Sequence, residues 1–308
     1  MDELDVKIFR SLISKSAIAP TYSDERTSLR EAARSLGADD MTVRNRFKRL
    51  QESGALSIWQ VIVNPTLFGF RILEVLIDVE PESAKGDMIR KLKLVHGIFV
   101  IVNFYGKAIK LILGYDSEEM RSRTIELISR ITNAENLTIF HIQFPLSETK
   151  FLTQNDKAII SALSSNARKS SLQVAEELGL SSKTVRNSIA KLRREKTLFN
   201  LPNTNLGDIS NLIPIHLTYA YSNREAKPPV DEAMCSHFDS SYLWGEFTDP
   251  DRGYLILSAQ KMTDVGLSLA WAKDQPGVTG ARADIFHEVI RLSDKLKELR
   301  RTVSPQLK

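Results

Sequence analysis

The tetrapeptide Thr-Val-Arg-Asn occurs twice in this chain of 308 residues, at 42–45 and again at 184–187. Laying Thr42 over Thr184 sets "SLREAARSLGADDMTVRNRFKRLQESGAL" over "SSLQVAEELGLSSKTVRNSIAKLRREKTL" without a gap, matching Ser28 with Ser170, Ala33 with Ala175, Leu36 with Leu178, Gly37 with Gly179 and Leu50 with Leu192. Agreement held over about thirty ungapped positions is a repeat, and a repeat of this length means one structural plan built twice. Just upstream "DVKIFRSL" answers "DKAIISAL", with nine more residues in the first copy around "SAIAPTYSDERT".

Each copy reads as three helices. In the second, Thr153 caps a helix whose first turn returns Asp156 to the cap, and Ile159, Ile160 and Leu163 recur at helical spacing. The next helix, 170–178, stops at Gly179, a residue suited to the left-handed turn that ends a helix. Ser181 and Ser182 then cap a third, along which Val185, Ile189 and Leu192 face inward. The first copy repeats this with Val43, Phe47 and Leu50. Two helices joined by a glycine-containing turn, the second of them basic, are the signature of a helix-turn-helix.

Burying those apolar residues turns a definite set outward. Thr42, Asn45, Arg46 and Arg49 share the opposite face, with Met41, Arg44 and Lys48 flanking it. The second copy offers Ser182, Lys183, Thr184, Arg186, Asn187, Lys191 and Arg194. Arginine and asparagine pair bidentately with guanine and adenine edges in a major groove, and flanking cations neutralise phosphates. A solvated basic face on a structural helix is the plain alternative; its recurrence at matched positions in two helix-turn-helix frames argues for double-stranded DNA as the partner.

After each third helix comes a strand-like stretch. "ALSIWQVIVNPTLFGF", broken at Asn64-Pro65, predicts a β-wing, and the polar "TLFNLPNTNLGDI" a reduced one. Beyond each wing the chain alternates strand, helix, strand, strand, helix, strand, a ferredoxin-like split unit. A basic amphipathic helix, "RLSDKLKELRR", closes the chain. The expected class is therefore α+β. A winged helix-turn-helix over 1–70 and a ferredoxin-like βαββαβ domain over 71–149 are repeated over 150–210 and 211–308.

Composition narrows the surroundings. The formal charge is only +4, yet 183–196 holds six basic residues against one acid and 41–51 holds four against none. One cysteine, Cys235, excludes an intrachain disulfide and any multi-cysteine zinc site. No run of about eighteen apolar residues suggests a membrane span, and the acidic, amphipathic N-terminus is unlike a secretory signal, so a cytoplasmic, nucleoid-associated protein is expected.

A winged helix-turn-helix followed by a ferredoxin-like domain resembles the Lrp/AsnC family of bacterial and archaeal transcription regulators. The resemblance rests on "LDVKIFRSL", on the aligned block above, on "NPTLFGF" and on the paired strands around Gly106, and then on the second copy. It extends over nearly the whole chain as a tandem duplication, where ordinary members carry one copy. It implies ferredoxin-like domains that pair sheet to sheet and often sense an amino acid at a Gly-x-x-Asp turn. Here the first copy reads Gly106-Lys107-Ala108-Ile109, without the acid, and the second Pro250-Asp251-Arg252-Gly253. The effector-contact candidates are accordingly Gly106, Lys107, Asp249 and Asp251, with a turn-making role for the two aspartates as the plain alternative. Two copies in one chain imply an intrachain pseudo-dimer holding its recognition helices about 34 Å apart over an imperfect palindrome. A homodimer with four DNA-binding units is equally compatible.

Three rivals share this plan. Some proteins of the same two-part build, fused pairs included, are sirohaem decarboxylases that lean on histidines; here His96, His141, His216, His237 and His287 are scattered. Paired catalytic carboxylates, phosphate loops and metal-ligand spacings are not apparent, so no enzyme, cofactor or metal is expected. A sequence-blind chromatin protein would bind through phosphates alone. A protein-interaction module would have no need for basic residues retained in both copies.

Overall fold

The computed structural model of the chain describes residues 2–13, 27–53, 58–149, 151–164, 166–203, 206 and 212–292. The loop around 16–26 and almost all of the expected C-terminal helix lie outside them. Three helices open the chain: α1 (Glu3–Ile13), α2 (Leu29–Ser35) and α3 (Asp40–Glu52). Ser28 and Glu31 form a reciprocal capping box that satisfies two orphan amides of α2, and Asp39 caps α3. Val43, Phe47 and Leu50 are buried against α1 and α2, each removal from water contributing about 1.5–3 kcal/mol. After β1 (Ile58–Val63) come β2 (Arg71–Asp78), α4 (Lys85–Leu92), β3 (Ile98–Phe104), β4 (Ala108–Tyr115), α5 (Glu118–Thr132) and β5 (Leu137–Ile142).

The same order then recurs. It gives α6 (Gln154–Ser164), α7 (Ser171–Leu178), α8 (Ser182–Arg194) and β6 (Leu198–Asn203). It continues with β7 (Ile213–Tyr221), α9 (Lys227–His237), β8 (Tyr242–Glu246), β9 (Arg252–Ala259), α10 (Met262–Lys273) and β10 (Val278–Arg291). Arg291, expected to begin a terminal helix, instead ends β10.

Separate wings were expected, and the structure differs. β1 and β6 pair with each other, antiparallel, from Ile58 opposite Asn203 to Val63 opposite Leu198. Among the described residues neither strand has a hairpin partner in its own half, so the backbone groups of each are satisfied by the matching strand of the other. Asn64, fully buried, fastens the end of this ribbon. Its side-chain amide donates to the carbonyls of Pro145 and Lys196, and its oxygen accepts from the Thr66 amide. Arg168 of the second copy donates to the Thr27 carbonyl of the first and lies 5.5 Å from the ring centroids of Phe47 and Trp59.

The strands after the ribbon form one eight-stranded sheet in the order β5-β2-β4-β3-β10-β7-β9-β8. Each half of that order runs fourth, first, third, second. The join is made by β10, which pairs with β7 along Val278 to Ile285 and then, past an irregularity near Phe286, with β3 as far as Arg291. At about 4.8 Å per strand a flat sheet would hold β4 and β7 roughly 14 Å apart and β2 and β9 roughly 24 Å apart. Yet Lys110 Nζ on β4 is 3.2 Å from His216 Nε2 on β7, and Tyr254 on β9 donates to Glu74 on β2 at 3.1 Å. The sheet therefore curls until its two halves face each other, a bend that strand irregularities favour. Helix α1 closes the far edge, with Phe9 on Trp244 of β8 and Arg10 paired to Asp239 at 2.6 Å.

Candidate nucleic-acid interface

Both basic helices are positioned by a turn that needs a left-handed residue. Gly37 (φ 62°) and Gly179 (φ 66°) supply it, so the chain reverses between α2 and α3, and between α7 and α8, without a Cβ penalty. The buried stripes Val43-Phe47-Leu50 and Val185-Ile189-Leu192 fix the rotation of each helix. In α3 this leaves Met41, Thr42, Arg44, Asn45, Lys48 and Arg49 exposed and Arg46 half-buried. In α8 it leaves Lys183, Thr184, Arg186, Asn187 and Arg194 exposed, with Ser182 and Lys191 half-buried. The side chains predicted from spacing thus lie on the outer faces.

Their electrostatic surroundings, which spacing could not give, differ between the copies. Every base singled out on α3 has an acid within ion-pair distance. Arg44 meets Asp40 at 2.8 Å, and Lys48 meets Glu52 at 3.7 Å. Arg46 meets Asp2 at 2.6 Å and Asp5 at 3.0 Å, and Arg49 meets Asp5 at 2.8 Å. The Arg46 hydrogen bond is the main cause of the lowered Asp2 pKa, and the same bond raises that of Arg46. The acids were visible in the sequence, at 2 and 5 at the start of the chain and just beyond the ends of the basic stretch at 40 and 52.

Around α8 three of the four matched acids are gone. Thr153 stands where the first copy has Asp2, Ser182 where it has Asp40, and Arg194 where it has Glu52. Lys183 and Arg186 have no acid within 4.0 Å among the described residues, and Arg194 has only Glu195 at 3.8 Å. Asp156, the counterpart of Asp5, is buried and ties α6 to α8 by accepting from Ser188 and from Thr153, with Lys191 at 3.3 Å. Burial would raise its pKa, but the hydrogen bonds from Ser188 and Thr153 and the charge of Lys191 outweigh that and hold it low. An open groove of about 480 Å³ separates the start of α6 from α8, walled by Asn155, Thr184, Asn187, Lys191 and Arg194.

The effector candidates are not gathered into one place. Gly106 (φ 71°) makes the β3–β4 turn, its carbonyl accepts from Lys85, and Lys107 pairs in the open with Glu80 at 2.8 Å. This turn lies against β10, where the Tyr105 amide donates to the Ile285 carbonyl. Asp249 is buried after β8 and lies against β5 instead. It accepts from the His141 amide across the copies and from the Asp251 and Arg252 amides in its own turn. Asp251 is exposed.

Sequence reading missed a polar cluster between the facing sheet halves. Lys110 and Glu74, 4% and 5% exposed, pair at 2.6 Å, and His216 is fully enclosed beside them. Burial lowers the Lys110 pKa and drives that of His216 well below its ordinary value, so His216 is neutral. Its Nε2 then accepts from Lys110, and its Nδ1–H faces Thr218 Oγ1 at 3.2 Å. Burial also pushes Glu246 up to about 7. Phe104, Phe140, Tyr254 and Phe286 fill the space around these groups. No group of three His, Cys, Asp or Glu among the described residues is placed to hold a metal, and no helix among them is long and apolar enough to cross a membrane.

Residues 152–193, spanning α6 to α8, match the AsnC-type helix-turn-helix domain. The HTH-type transcriptional regulator Ptr1 of Methanocaldococcus jannaschii is 28% identical over 142 residues, 45% of this chain and 89% of that protein. An uncharacterized HTH-type transcriptional regulator of Pyrococcus furiosus is 34% identical over 86 residues, 28% of this chain and 52% of that protein. Among solved structures, the siroheme decarboxylase NirDL matches with a TM-score of 0.55 at 10% identity, covering 99% of this chain and 100% of that one. At that identity the likeness concerns the fold alone.

Proposed function

We propose that the chain is a sequence-specific DNA-binding transcription regulator of the Lrp/AsnC type, with two helix-turn-helix units and two ferredoxin-like units joined in one polypeptide. The observation that carries this reading is α8. It falls inside the AsnC-type match, and it presents Lys183, Thr184, Arg186 and Asn187 to solvent from a helix whose rotation is fixed by its buried stripe. Arg186 and Asn187 supply base-edge contacts, Lys183 and Arg194 phosphate contacts, and α3 presents the corresponding Arg44 and Asn45. The ribbon and the curled sheet hold the two units as an intrachain pseudo-dimer. The reading places the protein in the cytoplasm on double-stranded DNA, without catalytic activity, and leaves the ferredoxin-like units to join the copies and to sense an effector at their turns.

The test is a selection of bound duplexes from a fragmented genomic pool with purified protein at about 0.15 M salt. Enrichment of a few fragments sharing a pair of half-sites about one helical turn apart is expected. Uniform retention would favour a sequence-blind chromatin protein, and no retention would redirect attention to the tetrapyrrole chemistry of the structural neighbour.

A further inference from the structure

The two recognition helices carry the same Thr-Val-Arg-Asn core in opposite charge environments. Over the matched stretch 39–52 the first copy has four bases and three acids, whereas 181–194 in the second has five bases and no acid. Asp40 and Glu52 are engaged with Arg44 and Lys48, and Arg46 and Arg49 with Asp2 and Asp5. At the N-terminal end of α3, the end through which such a helix approaches base edges, Asp40 stands beside Asp39, which caps the helix by accepting from the Thr42 amide. The second copy has there Ser181, Ser182 and Lys183, which meets no acid within 4.0 Å among the described residues.

Binding energy on a nucleic-acid backbone comes largely from cations that displace condensed counterions. A guanidinium already neutralised by a carboxylate displaces few. To reach a phosphate it must leave that carboxylate, which then faces the phosphates at close range and repels them. Resting on the DNA-binding reading above, we infer that the copies are unequal readers. The α8 copy is the anchor that supplies most of the affinity and specificity, and the α3 copy is restrained by its own Asp40, Glu52, Asp2 and Asp5. The preferred DNA site is then one strongly specified half-site beside a weakly specified one, and Asp40 and Glu52 are specificity-determining residues through the bases they hold.

The test compares the same truncation in both copies, and then releases the restraint. Binding of a selected duplex is followed by fluorescence anisotropy from 0.05 to 0.3 M salt, with thermal melts confirming that each variant is folded. Arg186→Ala is expected to weaken binding tenfold or more, and Lys183→Ala to make the log–log salt slope shallower by about one. Arg44→Ala should change affinity less than about twofold. In an Asp40→Ser/Glu52→Arg background, which places the α8 residues at the positions paired with Arg44 and Lys48, Arg44→Ala should cost about fivefold or more. Equal losses for Arg44→Ala and Arg186→Ala in the natural background would overturn the inequality while leaving DNA binding standing. An Arg44→Ala effect unchanged by Asp40→Ser/Glu52→Arg would show that the acids impose no restraint. Failure of the unaltered protein to bind any duplex would overturn the DNA-binding reading itself.

Discussion

Where the halves of the curled sheet meet, equivalent positions have been filled in opposite ways. Aligning the strand ladders sets Glu74 against His216 and Lys110 against Tyr254, because Leu76 opposes Lys110 as Thr218 opposes Tyr254. The first half contributes a buried ion pair, the second a neutral imidazole and a phenol that receive it. A symmetric dimer of the first half would bring two such ion pairs to the dyad, and a dimer of the second would bring none. One polypeptide lets each side specialise, and the charges around α3 and α8 diverge in the same manner. The copies are alike where they pack on themselves, in the stripes, caps and glycine turns, and unlike where they meet each other or solvent.

The largest way to break that comparison is to remove the charge that only one half supplies. Lys110→Met leaves Glu74 buried without its partner and should cost about 3–5 kcal/mol of stability in chemical denaturation. Adding Glu74→Leu should recover most of it. A double variant no better than the single one would mean that the loss comes from packing and not from the uncompensated charge of Glu74.

The next effect is pH-dependent and belongs to the second half. Burial raises the Glu246 pKa from 4.5 to about 7, so between those values the folded chain binds more protons than the unfolded one. Stability from this group is full below about 4.5 and is lost as pH rises toward 7. Glu246→Gln removes the dependence while keeping an oxygen to accept from Thr248, so it should match the natural protein near pH 5. By pH 8 it should exceed it by about 2 kcal/mol. A difference constant across that range would contradict a buried neutral acid.

Smaller still is the tie between the first and third helices of the second copy. The depressed pKa of Asp156 means that its stabilisation is present above the ordinary value of 3.8 and is lost as pH falls through the folded value. Asp156→Asn should cost about 1–2 kcal/mol at pH 7 and less toward pH 3, measured by denaturant titration. Asp5→Asn sharpens the contrast, since it frees Arg49 and leaves Arg46 to Asp2 alone, and should strengthen duplex binding through α3. Unchanged binding would count against restraint by α1.

The helices were legible because their signals are local. Thr153 with Asp156, Ser181 before the third helix, and the glycines at 37 and 179 mark ends within a few residues. The apolar spacing sets the outward faces of α3 and α8 for the same reason. Strand partners were not legible, because alternation tells which face a strand buries and not which strand it pairs with. Ile58–Val63 reads as one arm of a wing until β6 is brought to it from the other copy, and Phe286–Arg291 continues a strand whose partner changes from β7 to β3. The ion pairs of Arg46 and Arg49 escaped for a related reason: their acids lie about forty residues away, and only the packing of α1 on α3 brings them near. His216 looked like an isolated sheet histidine because its neighbours Lys110 and Glu74 come from the opposite copy.

The most direct test of the account compares two duplexes of equal length at about 0.15 M salt, one a fragment recovered by selection and the other the same bases scrambled. Reading of base edges by α8, with α3 assisting, requires the selected duplex to bind at least about a thousandfold more tightly. Affinities within a few-fold of each other, with equally steep salt dependence, would mean that these helices recognise phosphate alone, and the account of a sequence-specific regulator would be wrong.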